Sequence, residues 1–228
     1  MTFSIVGRDT STEKVGVAIA SVFPSVGAVC PYVTDGAAIS SQAWDSGRSY
    51  GDPIMSMVDH DIALESACET TLDNRDGAKG TQLHGVSLDG ERFAYTGDRA
   101  ADWAGHIVGD DHTVAGNILA GESVVVSMSD AFRDTEAPLE ERLLSALTAG
   151  EVAGGDKRGD NLSAALLVKG PESSLRHNLR VDDPGSPIEG LWNAYETAAE
   201  SEERDGDDLA ELWGGEYPES IVDFEIKY

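Results

Sequence analysis

Thr2 stands directly behind Met1, and a methionine followed by a small residue is the usual substrate for methionine removal. A threonine left with a free α-amine carries nucleophile and base in one residue, because the hydroxyl attacks and the amine takes its proton. The reference pKa of that amine is about 7.7–8.0, close to working pH, as a general base requires. Such chemistry needs the amine held at the end of a core strand. Thr2 opens an apolar one, Thr2-Phe3-Ser4-Ile5-Val6. Many chains begin Met-Thr, so the dipeptide alone is not specific.

Asp156 and Arg158 lie in a glycine-flanked loop, Gly154-Gly155-Asp156-Lys157-Arg158-Gly159. One reading is a polar anchor for substrate or for the amino terminus, with arginine holding a carboxylate through its fork. The other is a helix C-terminal stop with a local ion pair. His106 and His112, with Asp110 and Asp111 between them, are the cluster nearest to a metal-ligand set, although a polar loop between strands explains them as well. His60, His84 and His177 are isolated and read as ordinary surface or core residues. There is no G-x-S-x-G, P-loop, H-E-x-x-H or dinucleotide fingerprint, and nothing calls for a cofactor.

Around these residues the hydrophobic pattern alternates between blocks of strands and blocks of helices. Strands are predicted at Thr2–Val6 and Val15–Ala20, then a hairpin of Gly27–Val33 and Ala37–Gln42 around Thr34-Asp35-Gly36. A helix is expected from Asp52-Pro53 and another capped by Asp61. Strands return at Thr81–Leu88, Arg92–Thr96 and Val114–Leu119. A helical pair follows, Glu122–Thr135 and then Pro138 onward to Gly150 or Gly154-Gly155. Strands at Ser163–Lys169 and Leu175–Val181 and a helix from Pro187 close the series. Such blocks argue for an α+β layered domain, with two sheets sandwiched between helical layers. The domain is expected to span residues 1–195, with an acidic extension over 196–228 whose twelve acids face only Arg204 and Lys227.

The 228 residues carry 42 Asp/Glu against 16 Lys/Arg, a formal charge of −26, yet 40% of the chain is hydrophobic. That is too apolar for a disordered acidic protein, so the charge belongs on a folded surface. A field of this sign repels phosphate backbones and argues against nucleic acid as a partner. Self-repulsion on this scale destabilises a compact chain unless salt screens it, which points to a salt-adapted cytoplasmic protein. Cys30 and Cys68 form no disulfide framework and no zinc-like spacing. The uncharged run Val15–Thr34 is broken by Gly16, Pro24, Gly27 and Pro31, so two buried strands explain it better than a membrane segment.

Several stretches in order resemble an uncharacterised family known as domain of unknown function 1028. They are Thr2–Val6, Gly16–Ser21, Ser41-Gln42, Thr96-Gly97, Trp103–His106, Gly116–Gly121, Glu141–Leu144, Ala153–Gly159, Ser163–Ala165 and Leu179–Asp183. More broadly, the opening strand, hairpin and buried strand resemble the N-terminal-nucleophile (Ntn) hydrolases. The resemblance implies a four-layer αββα sandwich with two antiparallel sheets between helical layers, and an amidohydrolase cleaving an amide or peptide bond of a small substrate. Thr2 would then be the nucleophile after Met1 removal. Asn117 is the leading side-chain candidate for oxyanion donor and Gln42 the second; Ser21, at a strand end, could hydrogen-bond near Thr2. Proteasome-like members carry a lysine near the nucleophile. The region Val26–Gln42 has none, so Arg158 could supply that charge or the amine could act without it.

The competing expectation is a non-catalytic ligand-binding or assembly module on the same fold, in which Thr2 is an ordinary strand residue. A homo-oligomer is compatible with the apolar strand edges and short helices.

Overall fold

The computed structural model describes residues 2–44, 48–171 and 174–202. The acidic extension from residue 203 onward lies outside them, and its first part, residues 196–202, is the end of a helix. All strand pairing is antiparallel and falls into two sheets. The six-stranded sheet is built from β1 (Thr2–Asp9), β2 (Lys14–Ser21), β7 (Ala104–Val108), β8 (His112–Asn117), β9 (Ser163–Lys169) and β10 (Asn178–Val181), in the order β10-β9-β2-β1-β8-β7. The four-stranded sheet runs β3 (Pro31–Val33), β4 (Ala37–Ala43), β5 (Thr81–Ser87), β6 (Arg92–Thr96). The chain is therefore α+β, with two antiparallel sheets and five α-helices among the described residues.

Alternation along β1 explains how one strand serves two interfaces. Phe3 and Ile5 join a core with Ala18, Ala20, Val114 and Leu166 and with the helices α3 (Glu122–Asp134), α4 (Leu139–Val152) and α5 (Pro187–Glu202). Thr2, Ser4 and Val6 point the other way, toward the four-stranded sheet. There Val6 packs with Val15, Val17, Ala38 and Val86. On the far side of that sheet, α1 (Arg48–Val58) and α2 (Leu64–Asp73) bury Tyr50, Ile54, Leu64 and Cys68 against Ile39 and Leu83. Full burial of a Phe, Ile or Leu side chain stabilises by about 1.5–3 kcal/mol, so the helix-facing cores hold the sheets in place.

α3 and α4 form a hairpin whose facing residues recur at helical spacing: Val124, Val125, Met128 and Phe132 on one, Leu139, Leu143, Leu144 and Leu147 on the other. Gly150 sits inside α4 because a Cβ there would meet Met128 Cγ at 2.8 Å. The helix stops just beyond, where Gly154 and Gly155 adopt φ of 114° and 43° and Gly155 N–H returns to Gly150 C=O.

Several boundaries differ from the pattern in the sequence, each for a local reason. Residues 27–33 are not one strand: Val26–Ala28 is a 3-10 turn, and Gly27 presses so closely on β9 that a Cβ would lie 2.4 Å from Ala165 Cβ. α2 begins at Leu64 rather than at Asp61. The Leu64 N–H is capped from outside by the Glu91 carboxylate, while Asp61 turns the chain at φ 61°. α1 starts at Arg48 and carries Pro53 in its interior. Residues 175–177 are a 3-10 turn leading into a four-residue β10.

Candidate active site

Four strands end together on the face that looks toward the second sheet. In the ladders Thr2 lies opposite Ser21 on β2 and opposite Asn117 on β8, and Ser21 lies opposite Ser163 on β9. Directly opposed residues point to the same face, so Ser163, Ser21, Thr2 and Asn117 form one polar row across the strand ends. Thr2 is 7% exposed, and its hydroxyl donates to Ser21 Oγ at 3.3 Å. Ser21 Oγ also accepts the Phe23 N–H at 3.1 Å.

A cavity of about 90 Å³ opens beside Thr2, lined by Phe23, Ala43, Trp44, Asn117, Ile118 and Arg158. Phe23 and Trp44 are exposed aromatic walls at its mouth. Two lining residues hold the left-handed backbone conformation without being glycine: Ala43 at φ 81° and Ile118 at φ 56°. That conformation is an outlier for a β-branched residue such as Ile118. It is over-determined by its neighbours, since Ile118 N–H donates to Ala101 C=O and Ile118 C=O accepts from Lys157 N–H.

Behind Thr2 the inter-sheet layer turns polar, and its proton directions follow from one carbonyl. Gly116 C=O can only accept, so the Gln82 atom 2.7 Å away is Nε2. Gln82 Oε1 then accepts from Asn117 Nδ2 at 2.8 Å and from Gln42 Nε2 at 3.2 Å. Gln42 Oε1 in turn accepts from Ser4 at 2.6 Å and Ser40 at 3.1 Å. With its proton committed, Ser4 Oγ accepts from His84 Nε2 at 2.7 Å, and His84 Nδ1 accepts from Thr113 Oγ1 at 2.9 Å. Complete burial, with His106 nearby, pushes the His84 pKa down to about 3 and keeps the ring neutral. The network is therefore uncharged, and each of its amides has one orientation.

Asp156 carries no exposed side-chain surface. It accepts from Arg158 N–H at 2.6 Å and from Arg158 Nη2 at 3.2 Å, with Nε also in reach. The guanidinium lies 5.5 Å above the Phe23 ring. An antiparallel bridge from Asp156 to Leu119 and the Ala120 N–H to Gly155 C=O bond fasten this loop to the segment after β8.

The structure thus brings Thr2, Ser21, Asn117 and Arg158 together, with Asp156 behind Arg158. Gln42 is fully buried between the sheets and reaches the site only through Gln82. Trp44 lines the cavity, whereas Tyr50 is in the α1 core. His106 and His112 fall on opposite faces of their sheet, bonded to Thr96 and Ser129 respectively. Among the described residues no group of three or more His, Cys, Asp or Glu is placed to hold a metal ion.

Gln82, His84, Phe23 and Ile118 are site or support residues that the sequence pattern did not single out. A signal existed for the first two. Gln82 and His84 occupy alternate positions of β5 on the inward face, where apolar residues are the norm.

A model of a family of unknown function, DUF1028, matches residues 2–191. A crystal structure of a Silicibacter pomeroyi protein matched by the same family model superimposes with a TM-score of 0.79. It is 30% identical, over 87% of this chain and 86% of that one. No curated protein matches.

Proposed function

The chain belongs to the DUF1028 family, and from that premise we propose that it is an amidohydrolase of the N-terminal-nucleophile type, acting on a small amide or peptide. The observation that carries the reading is the placing of Thr2 at the end of a central strand, on a cavity it shares with Asn117 and Arg158. The two sheets lying face to face, with α1–α2 outside one and α3–α5 outside the other, support an αββα sandwich of four layers. Among the described residues no helix is long and apolar enough to cross a membrane, in keeping with a cytoplasmic enzyme.

In this mechanism Met1 is removed and Thr2 gains a free α-amine. The amine takes the hydroxyl proton as Oγ1 bonds to the substrate carbonyl carbon. The carbonyl π pair moves onto oxygen, where Asn117 Nδ2 donates its second hydrogen; the first is held by Gln82. Collapse of the oxyanion expels the amine leaving group, which takes the proton back from the α-ammonium. Water, activated by the same amine, then adds to the acyl ester and releases the acid, restoring Thr2. Arg158 is the one charged residue lining the cavity among the described residues, standing where lysine is absent.

Intact-mass analysis after treatment with a β-lactone in molar KCl tests this. One adduct per chain, mapped to a methionine-free Thr2 and lost in Thr2→Ala with the fold retained, is the expected result. Retained Met1 with no adduct favours the second reading, a ligand-binding module on the same fold. That reading draws on the Thr2 hydroxyl being engaged by Ser21 and on the lack of an interior lysine.

A further inference from the structure

We propose that the ligand of the Thr2 cavity carries a carboxylate, and that Arg158 receives it through the end of its guanidinium. The inference rests on the hydrolase reading for calling that ligand a substrate. A guanidinium offers two forks, one along its side and one across its two terminal nitrogens. Asp156 occupies the side, through Nε and Nη2. Among the described residues Nη1 has no partner, so the end-on fork, Nη1 with the second hydrogen of Nη2, faces the cavity uncommitted.

Three features make this fork a built receptor rather than a surface cation. Asp156 is buried and also holds the Arg158 backbone N–H, so the plane of the guanidinium is set before any ligand arrives. Phe23 supports one of its faces. Arg158 and Thr2 line the same cavity of about 90 Å³, so one small molecule reaches both.

The sign of the charge is equally telling. The chain is at −26, yet no acidic side chain lines this cavity among the described residues, and the single charge there is positive. A planar carboxylate matches the open fork in shape and charge. The substrate class that follows is a short amide acid, of the N-acyl amino acid kind, with its carboxylate a few bonds from the scissile C–N bond.

The test is calorimetric binding in molar KCl of N-acetylglycine and of its neutral amide, N-acetylglycinamide. In parallel, Thr2 is labelled with an uncharged β-lactone. We expect the acid to bind about tenfold more tightly than the amide, as one charge-assisted pair allows. Arg158→Met should erase the difference while leaving labelling by the uncharged lactone intact. Arg158→Lys, which keeps the charge but loses the fork, should retain only part of it. Equal binding of acid and amide, or a preference that survives in Arg158→Met, overturns the proposal. Labelling without carboxylate preference overturns this inference and leaves the nucleophile reading standing. Preference without labelling does the reverse, leaving a carboxylate site on a protein whose Thr2 is unreactive.

Discussion

Asn117 Nδ2 donates to Gln82 Oε1 at 2.8 Å, so a residue of the six-stranded sheet is oriented by a residue of the four-stranded one. Gln82 is itself fixed by Gly116 C=O, the carbonyl immediately before Asn117. The two bonds close a small clamp in which the strand end dictates which way its own asparagine faces.

Gln82→Met keeps the volume of the side chain and removes both ends of that clamp. Labelling of Thr2 by a β-lactone is expected to slow by about tenfold in its maximal rate, with the half-saturating concentration little changed. Stability should fall by about 1–3 kcal/mol, because buried partners of Gln82 lose their bonds. A change confined to half-saturation would contradict an orienting role for Gln82.

Acid should unfold the protein in two stages. His84 has its pKa lowered by burial to about 3, below its ordinary 6.5, so the unfolded chain binds that proton more readily. The corresponding stability is whole above pH 6.5 and drains away as pH falls toward 3. Burial raises the Glu140 pKa, but hydrogen bonds from His177 and Lys14 outweigh it and hold the group at about 2. Its contribution is present above about pH 4.5 and is lost as pH falls toward 2. At about 1.4 kcal/mol per pH unit these are roughly 5 and 3 kcal/mol, comparable to the whole stability of a typical domain. Melting temperature measured from pH 8 to 3 in molar KCl should begin to drop near pH 6.5. His84→Gln should flatten the upper limb and Glu140→Gln the lower one; a flat profile from pH 7 to 4.5 would contradict the assignment to His84.

The charge of −26 sets a third expectation. Between 0.01 M and 1 M salt the Debye length shrinks from about 30 Å to about 3 Å, which silences repulsion between acids on the surface. Melting temperature is expected to rise by about 10 °C or more over that range, equivalent to several kcal/mol for a chain of this size. An unchanged melting temperature would remove the case for salt adaptation.

Thr2, Asn117, Asp156 and Arg158 were legible as chemistry-bearing residues because each stands out locally, by position or by its glycine neighbours. What joins them was not legible. Thr2 and Asn117 are 115 positions apart, and only the β1–β8 register makes them neighbours. Strand β7 escaped the hydrophobic pattern because Gly105, His106 and Gly109 break up Ile107 and Val108. The cap of α2 escaped it because Glu91, its source, is 27 residues away from Leu64. Local propensity locates elements, whereas the cap, the register and the polar layer are tertiary choices. The β5 alternation is the exception: a glutamine and a histidine on an inward face announce an interior that must be hydrogen-bonded.

The place of β1 between β2 and β8 has a consequence for the order in which the protein is made. β2 leaves the ribosome almost with β1, but β8 follows about a hundred residues later, and β9, which must flank β2, later still. At about 5–20 residues per second, roughly 8–30 s separate the first strand from the last of these partners. Throughout that interval the backbone of Thr2 is open on one side. Any enzyme that trims the chain ahead of it works on an unfinished sheet, and the pocket closes only after trimming has had its chance.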